Sequence, residues 1–399
     1  MNNKVVLAYS GGLDTSYCIK YLTVDKQMEV YTAFVNTGGF SDEELSELEA
    51  KALKLGAKKH ITINRVEEFY QKGIRYMIYG NVLRQNTYPM SVSSERIFQA
   101  IAIVEYAKEI GAAAIAHGST GAGNDQVRFD LVFQVMAPEM EIITPIRTLG
   151  LSRQQEIDYL AKHGYEYSWE KAKYSINHGL WGTSVGGVET LSSDGELPEE
   201  AYPVQVSKSG KEHISIEFEK GQPCALNGKK MSPVQLIQEL EALATPYGIG
   251  RDIHVGDTII GIKGRVGFEA AAALIIIKAH HLLEKHVLTK WQQYWKDQLG
   301  NWYGMMMHEA QYLDPVMRDI EAYLESSQRN VTGTVNILLQ PYHFSVLGCK
   351  SEHDLMSSKF GDYGEANKAF TGEDVVGFTK ILSNQLKIYH AVNGSIDEK

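Results

Sequence analysis

The first 165 residues alternate between strand-like and helix-like patterns, and that alternation leaves few folds open. Lys4–Tyr9 reads as a buried strand and Asp14–Leu22 as the helix after it. Glu29–Val35 reads as a second strand, followed by a helix over Ser41–Leu55 with Leu45, Leu48, Ala52 and Leu55 on one side. Lys59–Ile63 is a candidate third strand. Ser94–Ile110 carries Ile97, Ile101, Val104 and Ala107 at helical spacing and feeds a strand over Ala112–Ala116. Glu141–Thr144 and a helix over Ser152–His163, with Ser152 placed to cap it, complete the series. The pattern predicts an α/β domain, a doubly wound parallel sheet covered by helices on both faces. Ligands then bind beyond the carboxyl ends of the strands, where the strand order reverses.

From about residue 166 the pattern changes. Glycine- and serine-rich sequence from Trp181 to Gly195 reads as loop, with short strands around Ile214–Phe218 and Val331–Leu339. Long helices are predicted over Phe268–His286 and Leu313–Ser327, so residues 166–365 form an α+β domain after the nucleotide-type domain of 1–165. Residues 366–399 remain as a C-terminal segment. Its helix, Glu373–Val392, carries apolar Val376, Phe378, Ile381, Leu386 and Ile388, and such a helix more often packs against another subunit or domain than carries chemistry. A chain of 399 residues exceeds one comfortable core, which agrees with this division.

Composition removes several functions. There are 39 Lys and Arg against 49 Asp and Glu, so no general nucleic-acid surface is expected. Cys18, Cys224 and Cys349 are far apart and make neither a metal nor a redox pair. The apolar run at Val5–Ala8 is too short for a signal peptide, and the one at Ala270–Ile277 is far below the ~20 residues that span a bilayer. A cytoplasmic chain with no membrane partner is the expectation.

The chemistry is concentrated where the first strand meets the first helix, at Ser10-Gly11-Gly12-Leu13-Asp14-Thr15-Ser16. Glycines let backbone amides approach a phosphate, and the helix N-terminus adds unpaired N–H groups and a favourable dipole. No Gly-Lys-Ser/Thr ending follows, so this is not the Walker loop. The string resembles the PP-loop of ATP pyrophosphatases. After the fourth strand comes His117-Gly118-Ser119-Thr120-Gly121-Ala122-Gly123-Asn124-Asp125-Gln126-Val127-Arg128-Phe129. Its glycines again permit close approach, while Asn124, Asp125 and Arg128 can read the ammonium and carboxylate of an amino acid. His117 alone is more often a backbone-bonding histidine than a catalyst.

Ala8 to Ser16 together with His117 to Phe129 is similar to argininosuccinate synthetase, and the similarity covers essentially the whole chain. The resemblance implies ligation of citrulline to aspartate through citrullyl-AMP, with ATP split into AMP and pyrophosphate, and Mg²⁺ on the phosphates. It implies that Ala8, Tyr9, Ser10, Gly11, Gly12, Leu13, Asp14, Thr15, Ser16 and Gly118 hold ATP, and that Ser10 and Asp14 act on the reacting phosphates. Asp14 is the candidate to orient the cation, unless it serves only as a helix-capping residue. Thr120, Asn124 and Asp125 would hold aspartate. Tyr88, Ser93, Asn124, Arg128, Ser175 and Ser184 would hold citrulline, and a homotetramer is implied.

The chain departs from the family pattern at two positions. Aligned on Gly261, Lys263, Arg265 and Glu269, Gly256 stands where the family carries a Glu, and Phe268 where it carries a Tyr, both of which contact citrulline. Two expectations follow. Either the neighbouring Asp257 compensates, or the substrate is a modified citrulline such as an N-acyl citrulline. From another class, an inactive nucleotide- or amino-acid-binding module remains open. A tRNA-thiolating enzyme would show a cysteine pair, and an amidotransferase a glutaminase domain; neither is present in this sequence.

Overall fold

The computed structural model describes residues 2–166, 174–357 and 369–394. The strands β1 (Lys4–Ala8), β2 (Glu29–Asn36), β3 (Lys59–Asn64), β4 (Ala114–His117) and β5 (Glu141–Ile143) form a wholly parallel sheet in the order β3-β2-β1-β4-β5. Its helices are α1 (Leu13–Val24), α2 (Asp42–Leu55), the short α3 (Val66–Phe69) and α4 (Arg75–Tyr79) joined by a π turn, α5 (Glu95–Glu109), α6 (Asp125–Met136), α7 (Pro145–Leu149) and α8 (Arg153–Lys162). The two-residue side-chain period of β1 accounts for the layering. Val5 and Leu7 enter a core with Leu13, Ile19, Leu55 and Leu160 of α1, α2 and α8. Val6 enters the opposite core with Ile97, Val104 and Phe133 of α5 and α6. Both faces of the sheet are therefore covered, as predicted. Ser152 caps α8 in a capping box with Gln155, and Ser41 does the same for α2 with Glu44.

The following residues build two antiparallel sheets. One has the order β11-β12-β7-β6, from β6 (Ser175–Gly179), β7 (Gly182–Gly186), β11 (Arg251–Asp257) and β12 (Lys263–Glu269). The other has the order β10-β9-β8-β13-β14, from β8 (Glu212–Glu219), β9 (Gln222–Leu226), β10 (Lys229–Lys230), β13 (Gly333–Gln340) and β14 (His343–Lys350). They are interleaved with α9 (Pro233–Ala244), α10 (Ala271–Val287), α11 (Lys290–His308) and α12 (Val316–Ser327). Residues Met1–Glu352 form one compact unit and His353–Lys399 another. The second holds α13 (Gly372–Leu382) and α14 (Asn384–Asn393).

Three sequence expectations change. Phe268 lies in β12, and the helix begins only at Ala271, because the continuous apolar run hides a strand end passing into a helix start. The expected loop after Trp181 contains β7, held between β6 and β12. The terminal helix is two helices meeting at Ser383. The expected boundary at 365/366 lies outside the described residues. No described helix is long and apolar enough to cross a membrane.

Candidate active site

The strand order reverses between β1 and β4, and both glycine loops leave the sheet there. Gly11 adopts φ +77, a left-handed conformation that suits glycine, and a Cβ there would strike Leu48 of α2. The first turn of α1 has no side-chain cap: its N-cap is Gly12, and Ser16 Oγ donates to the Gly12 carbonyl at 2.7 Å. The N–H groups at this end are thus left to a ligand or solvent. Ser10 is exposed at the mouth, and its Oγ lies 3.2 Å from Thr15 Oγ1. Lys51, which the sequence reading missed, reaches over from α2 and donates from Nζ to the Gly11 carbonyl at 2.5 Å. Burial pushes its pKa down to about 8, so it remains largely cationic at neutral pH beside the phosphate-type nest.

The second loop sits directly on the first. A Cβ at Gly118 would lie 3.1 Å from Thr15 Cγ2 and 3.2 Å from the backbone of Asp14 and Thr15. His117 accepts from the Ser119 amide at 3.2 Å through Nδ1, and its Nε2 lies 2.8 Å from Asp130, so it orders the loop. Thr120 is exposed at the tip, and Asn124 Oδ1 accepts from the Ile259 amide at 2.7 Å, in the β11–β12 turn.

Asp125 is held by two guanidiniums. Arg96 Nε donates to Oδ2 at 3.1 Å, and Arg128 Nη1 to Oδ1 at 2.7 Å. Burial raises the Asp125 pKa, but Arg96 and Arg128 outweigh it and hold the carboxyl below its usual range. Arg128 is buried and also donates from Nε to the His308 carbonyl at 3.1 Å. Its Nη2 lies 3.2 Å from His308 Nδ1, which leaves only part of its donor set for a substrate. Asp14, in the first turn of α1, lies beside Glu156 of α8, and burial raises its pKa. Burial and then the Asp14 charge push Glu156 up to about 8, so Glu156 is largely protonated at neutral pH. Glu156 Oε2 is buried without a hydrogen-bond partner among the described residues.

Of the other candidates, Tyr88, Ser93 and Ser184 are buried and Ser175 is exposed on β6. Ser93 Oγ has no hydrogen-bond partner. Tyr88 packs 5.2 Å from Phe268, whose cross-strand partner is Ser184, so these three come together. Tyr88 also stacks on His254 at 5.1 Å. His254 precedes Gly256 by two residues and shares its face of β11, where both are buried. A Cβ on Gly256 would lie 2.5 Å from His254 Nε2, so the imidazole fills the volume a side chain at 256 would need. Asp257 points to the other, exposed face, and its carboxylate is 2.7 Å from Lys263 Nζ. The structure does not bring Asp257 to the buried side; a one-residue slip of β11 would be needed. His254, His308, Arg84 and Glu156 were invisible to motif reading, because each acquires meaning from a distant partner.

Comparison with known proteins agrees with this geometry. Residues 4–166 match the arginosuccinate synthase N-terminal HUP domain, and 174–389 the arginosuccinate synthase C-terminal domain. The argininosuccinate synthase of Methanocaldococcus jannaschii is 38% identical over 394 residues, 98% of both chains. That of Dictyoglomus thermophilum is 37% identical over 396 residues, covering 99% of each. That of Pyrococcus furiosus is 37% identical over 396 residues, covering 98% of this chain and 95% of the relative. With both domains matched in order and the relatives aligned almost end to end, the chain belongs to the argininosuccinate synthase family, ligases that join citrulline and aspartate with ATP.

Proposed function

We propose that this chain condenses citrulline with aspartate through an adenylated ureido intermediate, releasing AMP and pyrophosphate. The observation that carries this reading is the seating of Gly118 against Asp14 and Thr15, which joins the phosphate-type nest to the amino-acid-reading loop. Ala8 to Ser16 and Gly118 hold ATP, with the α1 amides and Lys51 facing its phosphates. Thr120, Asn124 and Asp125 hold aspartate, and Tyr88, Ser93, Asn124, Arg128, Ser175 and Ser184 hold the ureido substrate. The ureido oxygen attacks the α-phosphorus and pyrophosphate leaves. The aspartate amine then attacks the ureido carbon and AMP leaves. No protein nucleophile takes part. Ser10 and the α1 amides steady the phosphates, and alignment of the reactants is worth roughly 7–11 kcal/mol.

The carboxyls of Asp14 and Glu156 suit a hard divalent cation, with Oε2 of Glu156 lacking any other partner. Mg²⁺ bound there and on the ATP phosphates would neutralise charge developing on the leaving pyrophosphate. Glu156 would release its proton to accept it.

Citrulline labelled with ¹⁸O in its ureido group tests the reaction. The label is expected in AMP; its exclusion from AMP, or formation of ADP and phosphate, would refute adenylation.

The finer organisation is part of the same proposal: residues 1–165 as the ATP domain, 166–365 as the synthetase domain and 366–399 as an oligomerisation segment of a cytoplasmic homotetramer. Supporting this, α13 and α14 expose Phe378 at 62%, Ile381 at 77% and Val392 at 76%. Large apolar side chains exposed this densely on two short helices are what an interface would cover. Sedimentation of the intact chain is expected to show a tetramer, and Phe378→Glu with Ile381→Glu a smaller species. A monomer in the first measurement removes the idea.

A further inference from the structure

Four side chains from separate elements converge beside the buried face of β11, and each of them carries at least one N–H group. They are Arg84 in the loop after α4, Arg128 of α6, His254 of β11 and His308 at the end of α11. His308 is 6% exposed, and its Nδ1 faces the Arg128 guanidinium. A guanidinium only donates, so Nδ1 accepts and the ring proton sits on Nε2. Among the described residues that Nε2–H is buried without an acceptor, and so is the Nε–H of Arg84. Two buried donors without acceptors in one region are costly unless a ligand accepts from them. Both imidazoles are neutral at physiological pH. Burial first, then Arg128 and Arg84, push His308 down to about 3, and burial followed by Arg84 pushes His254 down to about 4.

The charged groups around the cluster are largely paired with one another. Asp125 is committed to Arg96 and Arg128, and Asp257 is paired with Lys263 on the other face. Asp252, exposed at the start of β11, takes the Ile253 amide at 2.7 Å. Glu309 acts on Arg84 electrostatically. Arg84, Arg96 and Arg128 face Glu95, Asp125, Asp257 and Glu309, so the cluster selects an acceptor through its unpaired N–H donors and not through net charge. With His254 filling the space over Gly256, no carboxylate can enter from position 256.

We propose that the cluster of Arg84, Arg128, His254 and His308 holds the α-carboxylate of the ureido substrate and leaves its α-nitrogen unread, so that Nα-acylated ureido acids bind alongside free citrulline. The inference rests on the reading that a ureido amino acid occupies this side of the site. A carboxylate has the lone pairs to satisfy the Arg84 Nε–H and the His308 Nε2–H together, whereas an ammonium supplies only further donors to a region that already has too many. An acylated nitrogen carries no charge and removes that conflict.

Calorimetric titration of the full-length chain tests this without requiring turnover. The ligands are citrulline, Nα-acetylcitrulline, 5-ureidopentanoate (no amine) and citrulline amide (no carboxylate). Acylating or deleting the amine is expected to weaken binding by less than tenfold, or to tighten it, and amidation to weaken it by tenfold or more. Arg84→Gln is expected to weaken all three acids at least tenfold and to leave the amide unchanged. A tenfold or greater loss on acylating or deleting the amine overturns the proposal, as does tight binding of the amide. Inorganic phosphate displacing the acids at concentrations below their own dissociation constants also overturns it, assigning the cluster to a phosphate. A chain that binds the ligands in the expected order yet forms no AMP refutes only the reaction.

Discussion

An Arg128→Leu variant is expected to lose about two to three orders of magnitude in kcat/KM for citrulline. Arg128 is almost wholly buried and donates to Asp125 and to the His308 carbonyl, so leucine leaves Asp125 with Arg96 as its single cationic partner and removes a charged group from the substrate side. Truncating one member of a buried, hydrogen-bonded charge pair costs roughly 3–5 kcal/mol, and every 1.4 kcal/mol is about tenfold. The loss is expected mainly in citrulline KM, with a smaller rise in aspartate KM because Asp125 loosens. Arg128→Lys is expected to recover little, because one ammonium cannot reproduce a fork that reaches Asp125 and His308 together. Steady-state kinetics with each substrate varied in turn decide the matter, and unchanged affinity for both would remove Arg128 from the site.

The second large effect is on stability and lies away from the chemistry. Lys296 of α11 and Glu284 of α10 are both completely buried, with Nζ 2.8 Å from Oε2. Glu284 is also held by Asn81 at 2.5 Å and by Gln328 at 2.8 Å. Burial raises its pKa, but His280 and Lys296 outweigh that and keep it below the ordinary carboxylate range. Lys296→Met strands a buried carboxylate and is expected to lower unfolding free energy by about 3–5 kcal/mol, read as a shift in the urea midpoint. Adding Glu284→Gln to the same chain is expected to recover at least half of that loss, because a neutral amide tolerates burial. A change below about 1 kcal/mol in the single variant would mean that Asn81 and Gln328 suffice. Because the native carboxyl titrates lower than the unfolded one, this pair stabilises above the ordinary Glu range and loses its contribution as pH falls.

What could be read from the sequence follows a physical division. The parallel sheet was legible because each strand and helix writes its own short-range period. Ser152 and the glycine loops were legible because capping and close backbone approach are local demands. His308 could not be found this way. It meets Arg128 across 180 positions, and nothing around it in the chain marks it as a partner. The same holds for Lys296, which lies in a helix whose Trp291, Tyr294, Trp295 and Trp302 are all more than half exposed, so that helix shows no clean apolar stripe. The β7 strand was missed because its glycines and serine read as loop, and only pairing with β6 and β12 overrides that tendency. Asp257 was the nearest carboxylate in sequence, and strand alternation alone turns it away.

The order of the strands also dictates when the molecule can be completed during synthesis. β1 lies at the centre of the parallel sheet, yet Val5 waits for Ala114 before its second edge is covered. In the antiparallel sheet Ile214 waits in the same way for Ile337. A ribosome adding roughly 5–20 residues per second therefore leaves the first glycine loop without its seat for several seconds, and β8, paired early with β9, without its second partner for a similar time. Such distant pairings are slow to close and leave unpaired edges open to other chains. The centre strand and its loop therefore precede by more than a hundred residues the segment that encloses them.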